Sequence, residues 1–226
     1  MILFKYALKR SLRTPSNIIV IMILPLVFII MPSIDDRLMP QGLAMYGMIV
    51  LFSAFLLSKQ LIENRSNQTI VRIASSPLSH LKYLTSFLLA FTVILWIQNI
   101  LFLILMKLYW NEAIIDFFVL LLLYFCYSIL TISFCLFWNS MFKTYYTSLA
   151  LFAGVASLMS MITGISLPLS MLPDTLLRFS VFLPSYWLAY GLDMVYNNLI
   201  NNVLLSIAIM SVYSIIFIMI GSQRRF

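Results

Sequence analysis

Residues 117–142 read FFVLLLLYFCYSILTISFCLFWNSMF, and residues 83–106 before them read YLTSFLLAFTVILWIQNILFLILM. Neither stretch contains an Asp, Glu, Lys or Arg. At about 1.5 Å of rise per residue, about 20 mainly apolar residues carry a helix across a bilayer. Each stretch is long enough for one crossing, and the short KLYWNEAIID between them suits a tight return. Backbone amides in hydrocarbon must be satisfied within the chain, which leaves helices or closed barrels. Barrel strands would show short segments of alternating polarity, and these runs are uniformly apolar.

Working outward, four more charge-free runs appear, 14–34, 38–58, 144–173 and 194–223. A charge at mid-bilayer costs about 2.5–3.5 kcal/mol on the insertion scale, so each span must lie inside its gap. The predicted spans are 17–34, 42–61, 83–107, 115–138, 146–167 and 202–221. The expected fold is all-α integral membrane, with six transmembrane helices in one domain over residues 1–226. Composition agrees, because 63% of the 226 residues are hydrophobic and 9% are charged. A soluble domain carries about 25% charged residues, so a soluble globular enzyme is excluded.

The charges orient the bundle. With the N-terminus inside, segments 1–16, 59–82, 139–145 and the tail carry +4, +3, +1 and +2. The outer segments 35–41, 107–116 and 168–201 carry −1 each, so the net charge of +7 divides as +10 inside and −3 outside. The positive-inside rule places both termini in the cytoplasm, and the basic excess reports orientation, not nucleic acid. Cys126 and Cys135 lie nine residues apart in one apolar run, on opposite helix faces, and read as packing residues.

Residues 1–16 alternate charge and apolar side chains at helical spacing, unlike a cleaved signal peptide. Lys5, Lys9 and Arg13 form one stripe and Phe4, Leu8 and Leu12 the next. That pattern predicts an amphipathic helix on the inner membrane surface, the plainer alternative being a basic anchor for the first span. The cytoplasmic stretch 59–82, KQLIENRSNQTIVRIASSPLSHLK, mixes Glu63, Arg65, Gln68 and Arg72 with Ile70 and Ile73, and breaks at Ser75-Ser76-Pro77. It predicts a short amphipathic helix able to dock on a soluble partner, or an interfacial linker with none. The outer stretch 168–201 is too apolar for a free loop and carries Pro168, Pro173, Pro184, Tyr186, Trp187 and Tyr190. Two short re-entrant helices fit it, since Tyr and Trp favour the headgroup level.

Four features resemble the transmembrane subunit of an ABC-2 type transporter, a bacterial ATP-binding-cassette exporter, over nearly the whole chain. They are the basic helix leading into RTPSNIIVIMILPLVFII, the loop IENRSNQTIVRIASSPLSHLKYL, the six spans with both ends inside, and GISLPLSMLPDTLLRFSVFLPSYWLAYGL. A departure is Glu63-Asn64-Arg65, where many relatives carry a second acid and a Gly before the Thr. The resemblance implies a multi-pass bacterial plasma-membrane permease working with two ABC ATPase subunits and a second permease chain, identical or different. Glu63, Arg65, Gln68, Thr69, Ile70, Arg72 and Ile73 would lie on the ATPase-coupling helix, with ATP and Mg held by the partner. An amphipathic or hydrophobic cargo, such as a peptide, antibiotic or lipid-like molecule, would move outward. The alternatives are a non-transporting immunity or scaffold protein and an ion channel.

The residues add to this. No G-x-x-x-x-G-K-[ST] loop occurs, so this chain is expected to hold no nucleotide in that way. No carboxylate sits mid-span, unlike most ion-coupled carriers. The single histidine, His80, reads as a surface residue, and no metal site is expected. Gln98 and Asn99 sit mid-span and either touch substrate or bond between helices. Ala156, Ser160 and Gly164 form a small-residue seam, within the chain or between permease chains. Pro25 is placed to bend the first span.

Overall fold

The computed structural model describes residues 2–13, 19–31, 39–66, 80–110, 116–167 and 171–223. In chain order the helices are α1 (Ile2–Arg13), α2 (Ile19–Ile29), α3 (Gln41–Ser66), α4 (His80–Tyr109), α5 (Phe117–Ser140), α6 (Tyr145–Ile162), α7 (Asp174–Ser180), α8 (Tyr186–Tyr196) and α9 (Ile200–Gln223). No strand occurs among the described residues.

Five of these helices, α3, α4, α5, α6 and α9, are long and apolar enough to cross a membrane. The sixth predicted span, 17–34, is represented by α2 alone, because residues 14–18 and 32–38 lie outside the described set. In α2 the turn Ile19–Ile23 is π-helical and Leu24–Ile29 is α-helical, with Pro25 at the junction. A proline has no N–H for the ladder and its ring crowds the preceding turn, so a widened turn before it is the physical outcome.

α5 is the centre of the bundle and packs against α3, α4, α8 and α9. It buries Leu120, Leu123, Tyr124, Tyr127, Leu130 and Phe134. α6 and α9 are the least buried spans, and they leave Leu151, Leu158, Leu204, Val212, Ile215 and Met219 exposed. Such surfaces suit hydrocarbon, not water. Hydrogen bonds mark the two ends of the bundle. At the end opposite α1, Trp110 Nε1 donates to Ile29 O at 2.7 Å and Gln41 Nε2 to Ser166 O at 3.1 Å.

Two span boundaries are corrected, and the first is the end of α3, which runs to Ser66 where the predicted span stops at 61. Sequence spacing runs span five to residue 167, but α6 stops at Ile162. Thr163 N–H still bonds Met159 O, then Gly164 takes φ 84° and Ser166 N–H turns back to Ser160 O at 3.0 Å. Glycine accepts this left-handed conformation without a Cβ penalty, so Gly164 ends the helix and leaves the predicted seam. Asn198, at φ 58°, makes the matching stop after α8. There Leu199 N–H bonds Met194 O and Asn198 N–H bonds Val195 O.

Close helix contacts depend on two other glycines. A Cβ at Gly42 would collide with Phe28 O, where α2 meets α3, and one at Gly47 would meet Leu188 of α8. A Cβ at Gly154 meets nothing within 4 Å. Gly42→Ala should therefore separate α2 from α3, costing about 1–3 kcal/mol or more. Gly154→Ala should raise helix stability by up to about 1 kcal/mol. Melting temperatures in detergent check this, and an equal response from the two variants would contradict the packing of α2 on α3.

Candidate functional site

The chemistry-bearing side chains gather at the α1 end of the bundle and along its interior. α1 turns Ala7 and Ser11 inward, with Phe4 and Leu8 half-buried, and leaves Lys5, Lys9 and Arg13 exposed. Small residues on the inward face let the helix pack closely along α4. Polar contacts to the end of α3 fix its register. Arg10 donates from Nη1 to Asn64 Oδ1 at 2.7 Å and from Nη2 to Glu63 Oε2 at 2.8 Å. Lys59 Nζ approaches the other Glu63 oxygen at 3.2 Å and also lies 4.7 Å from the Tyr145 ring centroid. Deeper in, Gln60 Nε2 donates to Ser11 Oγ at 2.7 Å, and Ser11 Oγ donates to Ala7 O. The Arg10–Glu63 pair is about a third exposed, which limits it to about 0–1 kcal/mol. Its role is orientation of α1 more than stability.

Glu63 is thus placed at the contact between α1 and α3. Arg65 lies in the last turn of α3, with its side chain outside the described residues. Gln68, Thr69, Ile70, Arg72 and Ile73 fall in 67–79, also outside them. The sequence reading did not single out Arg10, Gln60 or Ser11, and noted Asn64 only as part of a departure from the family pattern. Arg10 was legible in principle, as the one α1 cation lying off the Lys5, Lys9 and Arg13 stripe.

In the interior, Asn99 on α4 is a hub. Its Oδ1 accepts from Tyr46 Oη at 2.7 Å, and its Nδ2 donates to Ser128 Oγ at 2.7 Å and to Tyr124 O at 3.2 Å. Tyr124 Oη in turn donates to Leu43 O. The Tyr46 ring stacks on Phe102 with centroids 3.6 Å apart. One amide therefore joins α3, α4 and α5, with both of its N–H groups in use. Gln98 is held more loosely, since Nε2 reaches Ser53 Oγ at 3.4 Å and Oε1 has no partner among the described residues.

A second buried amide, Asn139, joins α5 to α3 and α6. Its Nδ2 donates to Ser58 Oγ at 2.6 Å, and its Oδ1 accepts from Ser148 Oγ at 2.7 Å. The sequence signal for this hub is one polar side chain at matching depth on each of three spans.

Ala156 and Ser160 are buried within the chain, and Ser160 Oγ accepts from Ser166 Oγ at 2.9 Å. At the opposite end, α8 buries Leu188, Ala189, Gly191, Leu192 and Val195 against α9, α5 and α3. Its Tyr186, Trp187 and Tyr190 form one aromatic cluster. Burial raises the Tyr186 phenol pKa above its ordinary value, with Tyr190 and Asp193 adding to the rise, so Tyr186 stays uncharged at neutral pH. Among the described residues no three His, Cys, Asp or Glu side chains gather as metal ligands.

Against this architecture, the sequence profile described as ABC-2 family transporter protein matches residues 31–222. The chain belongs to the ABC-2 transporter family. It is therefore the transmembrane, multi-pass permease component of an ABC transporter, in a family whose ATPase sites reside on partner subunits. No curated protein and no solved structure matches the chain.

Two outcomes follow for this permease. Asn99→Leu should strand the Tyr46 hydroxyl, leave Ser128 with only its own bond to Tyr124 O, and lower stability by about 1–3 kcal/mol. Thermal unfolding in detergent reads this, and an unchanged melting temperature would refute the hub. Arg10→Glu sets like charges against Glu63 and should loosen α1, speeding tryptic cleavage after Lys5 and Lys9. An unaltered cleavage rate would show that Arg10 does not hold α1.

Proposed function

We propose that this permease is the membrane half of a bacterial exporter that moves an amphipathic or hydrophobic cargo outward. The cargo class would be a peptide, antibiotic or lipid-like molecule. ATP and Mg are held by two separate ATPase subunits, and two permease chains, identical or different, enclose the pathway. In this reading the chain has six spans, with α2 belonging to the first, and both termini face the cytoplasm. α7 and α8 are the re-entrant helices of the outer side.

The observation that carries the reading is the polar latch between α1 and the end of α3, formed by Arg10 with Glu63 and Asn64 and by Ser11 with Gln60. The latch includes Glu63, the first of the residues that the family resemblance assigns to the ATPase-coupling helix; those from Gln68 to Ile73 lie outside the described residues. A push on that helix and on α1 would be delivered together to α3 and α4, because α1 is fixed to the first and packed on the second. α3 and α4 then carry the movement to the Asn99 hub. The acid-poor spans support a hydrophobic cargo, since carboxylates in hydrocarbon are costly and usually mark ion sites.

The test is association with the ATPase subunit encoded with this permease. Arg72→Glu, or Ile70→Asp with Ile73→Asp, should reduce co-purification at least about tenfold while the permease still accumulates in the membrane. Wild-type association in both variants would remove the coupling-helix assignment.

A further inference from the structure

The exposed basic stripe of α1 plays no part in the latch. α1 reads ILFKYALKRSLR and carries four cations and no acid. Arg10 is engaged by Glu63 and Asn64. Lys5, Lys9 and Arg13 are exposed, and none of them pairs with a carboxylate among the described residues. They recur every four residues, so they stand on successive turns about 6 Å apart along the axis. Tyr6, 53% exposed, lies one turn before Lys9 on the same side. Three like charges at this spacing repel one another, and the surface they form is complementary to a row of anions.

Depth and direction say which anions. The polar contacts of α1 go to Gln60, Glu63 and Asn64, at the end of the 24-residue apolar stretch Gln41–Asn64. That stretch is about 36 Å long, more than the roughly 30 Å of hydrocarbon in a bilayer, so its ends reach the headgroup level. α1 is thus held where the phosphates of one leaflet lie. Its apolar side is already taken, because Phe4 and Leu8 pack against the core of the chain and Ala7 is fully buried there. An interfacial helix ordinarily holds the membrane by sinking its apolar face into it. Here that face is spent on the bundle. The side left over is cationic, with a tyrosine of the kind that favours the headgroup level.

We propose that the Lys5, Tyr6, Lys9 and Arg13 face of α1 is a binding surface for the headgroups of anionic phospholipids. The phosphate oxygens accept charge-assisted hydrogen bonds from the two ammonium groups and the guanidinium. α1 is then held from both sides, by lipid on its outer face and by the polar latch on its inner one. The anionic lipid content of that leaflet sets how firmly α1 is seated. The inference rests on the depth and exposure of α1, not on the cargo, the direction of transport or the ATPase contact proposed above.

The test is native mass spectrometry of the full chain released from nanodiscs that hold phosphatidylglycerol and phosphatidylcholine in equal amounts. Each cation beside an anionic surface favours binding by about fivefold, so the unaltered chain should keep phosphatidylglycerol over phosphatidylcholine by about tenfold or more. Neutralising the stripe, with Lys5→Gln, Lys9→Gln and Arg13→Gln together, should cut that preference at least about threefold. Lys5→Arg with Lys9→Arg keeps the charge and should keep the preference. Lys107→Gln, in the last turn of α4 at the other end of the bundle, should leave it unchanged. A smaller loss in the neutralised chain would overturn the proposal, as would an equal loss in either of the other two variants. So would a neutralised chain that keeps its phosphatidylglycerol and loses the ATPase subunit, because the stripe would then be a protein-docking face.

Discussion

Hydrocarbon offers no hydrogen bonds, and that constraint governs the arrangement of this chain. A polar side chain inside the bundle must find its partner on another helix or on its own backbone. Asn99 does so with Tyr46, Ser128 and the Tyr124 carbonyl, and Asn139 with Ser58 and Ser148. α5 takes part in both hubs, which is why α3, α4 and α6 gather around it. The apolar residues outside the hubs supply area but little direction, because lipid tails are as apolar as leucine. Position and register come from the few amides and hydroxyls, and from glycines that let backbones approach, as Gly42 does beneath Phe28.

The same logic explains why the α1 end differs from the interior. Charges there are half-exposed and weak individually, so the Arg10, Glu63 and Lys59 cluster orients α1 without contributing much stability. A modest, solvent-screened latch beside a firmly bonded core suits a part that must respond to a partner. The ABC-2 family match over residues 31–222 supplies the kind of partner, an ATPase on a separate polypeptide. α1 begins before the matched region, and its contacts with α3 and α4 tie it to the family domain.

The helical membrane class and five of the spans were legible because charge gaps are a one-dimensional signal. Each of the helices α3, α4, α5, α6 and α9 begins and ends within a few residues of its predicted span, except that α3 runs five residues past its predicted end and α6 stops five residues short. That end was misplaced because Gly164 fits a small-residue seam as well as it fits a left-handed stop, and hydropathy cannot separate the two. The exposed stripe of Lys5, Lys9 and Arg13 was readable from spacing alone. The Arg10 contacts and the Asn139 hub were not, because Arg10 meets residues 53 and 54 positions away and Asn139 meets Ser58 81 positions away, at a depth only the packing of the spans sets. Asn99 could be recognised as a polar group needing partners, while the identity of those partners depended on helix packing that no single sequence encodes in linear form.

Taken together, the latch, the bonded core and the family assignment describe a membrane subunit built to receive work from outside itself. The most direct test of that claim is purification of the chain from its native membranes in mild detergent, with identification of the co-purifying proteins and an assay of ATP hydrolysis. The account predicts a stoichiometric nucleotide-binding subunit and vanadate-sensitive hydrolysis. A chain that emerges alone, under conditions that keep other ABC complexes intact, would contradict it.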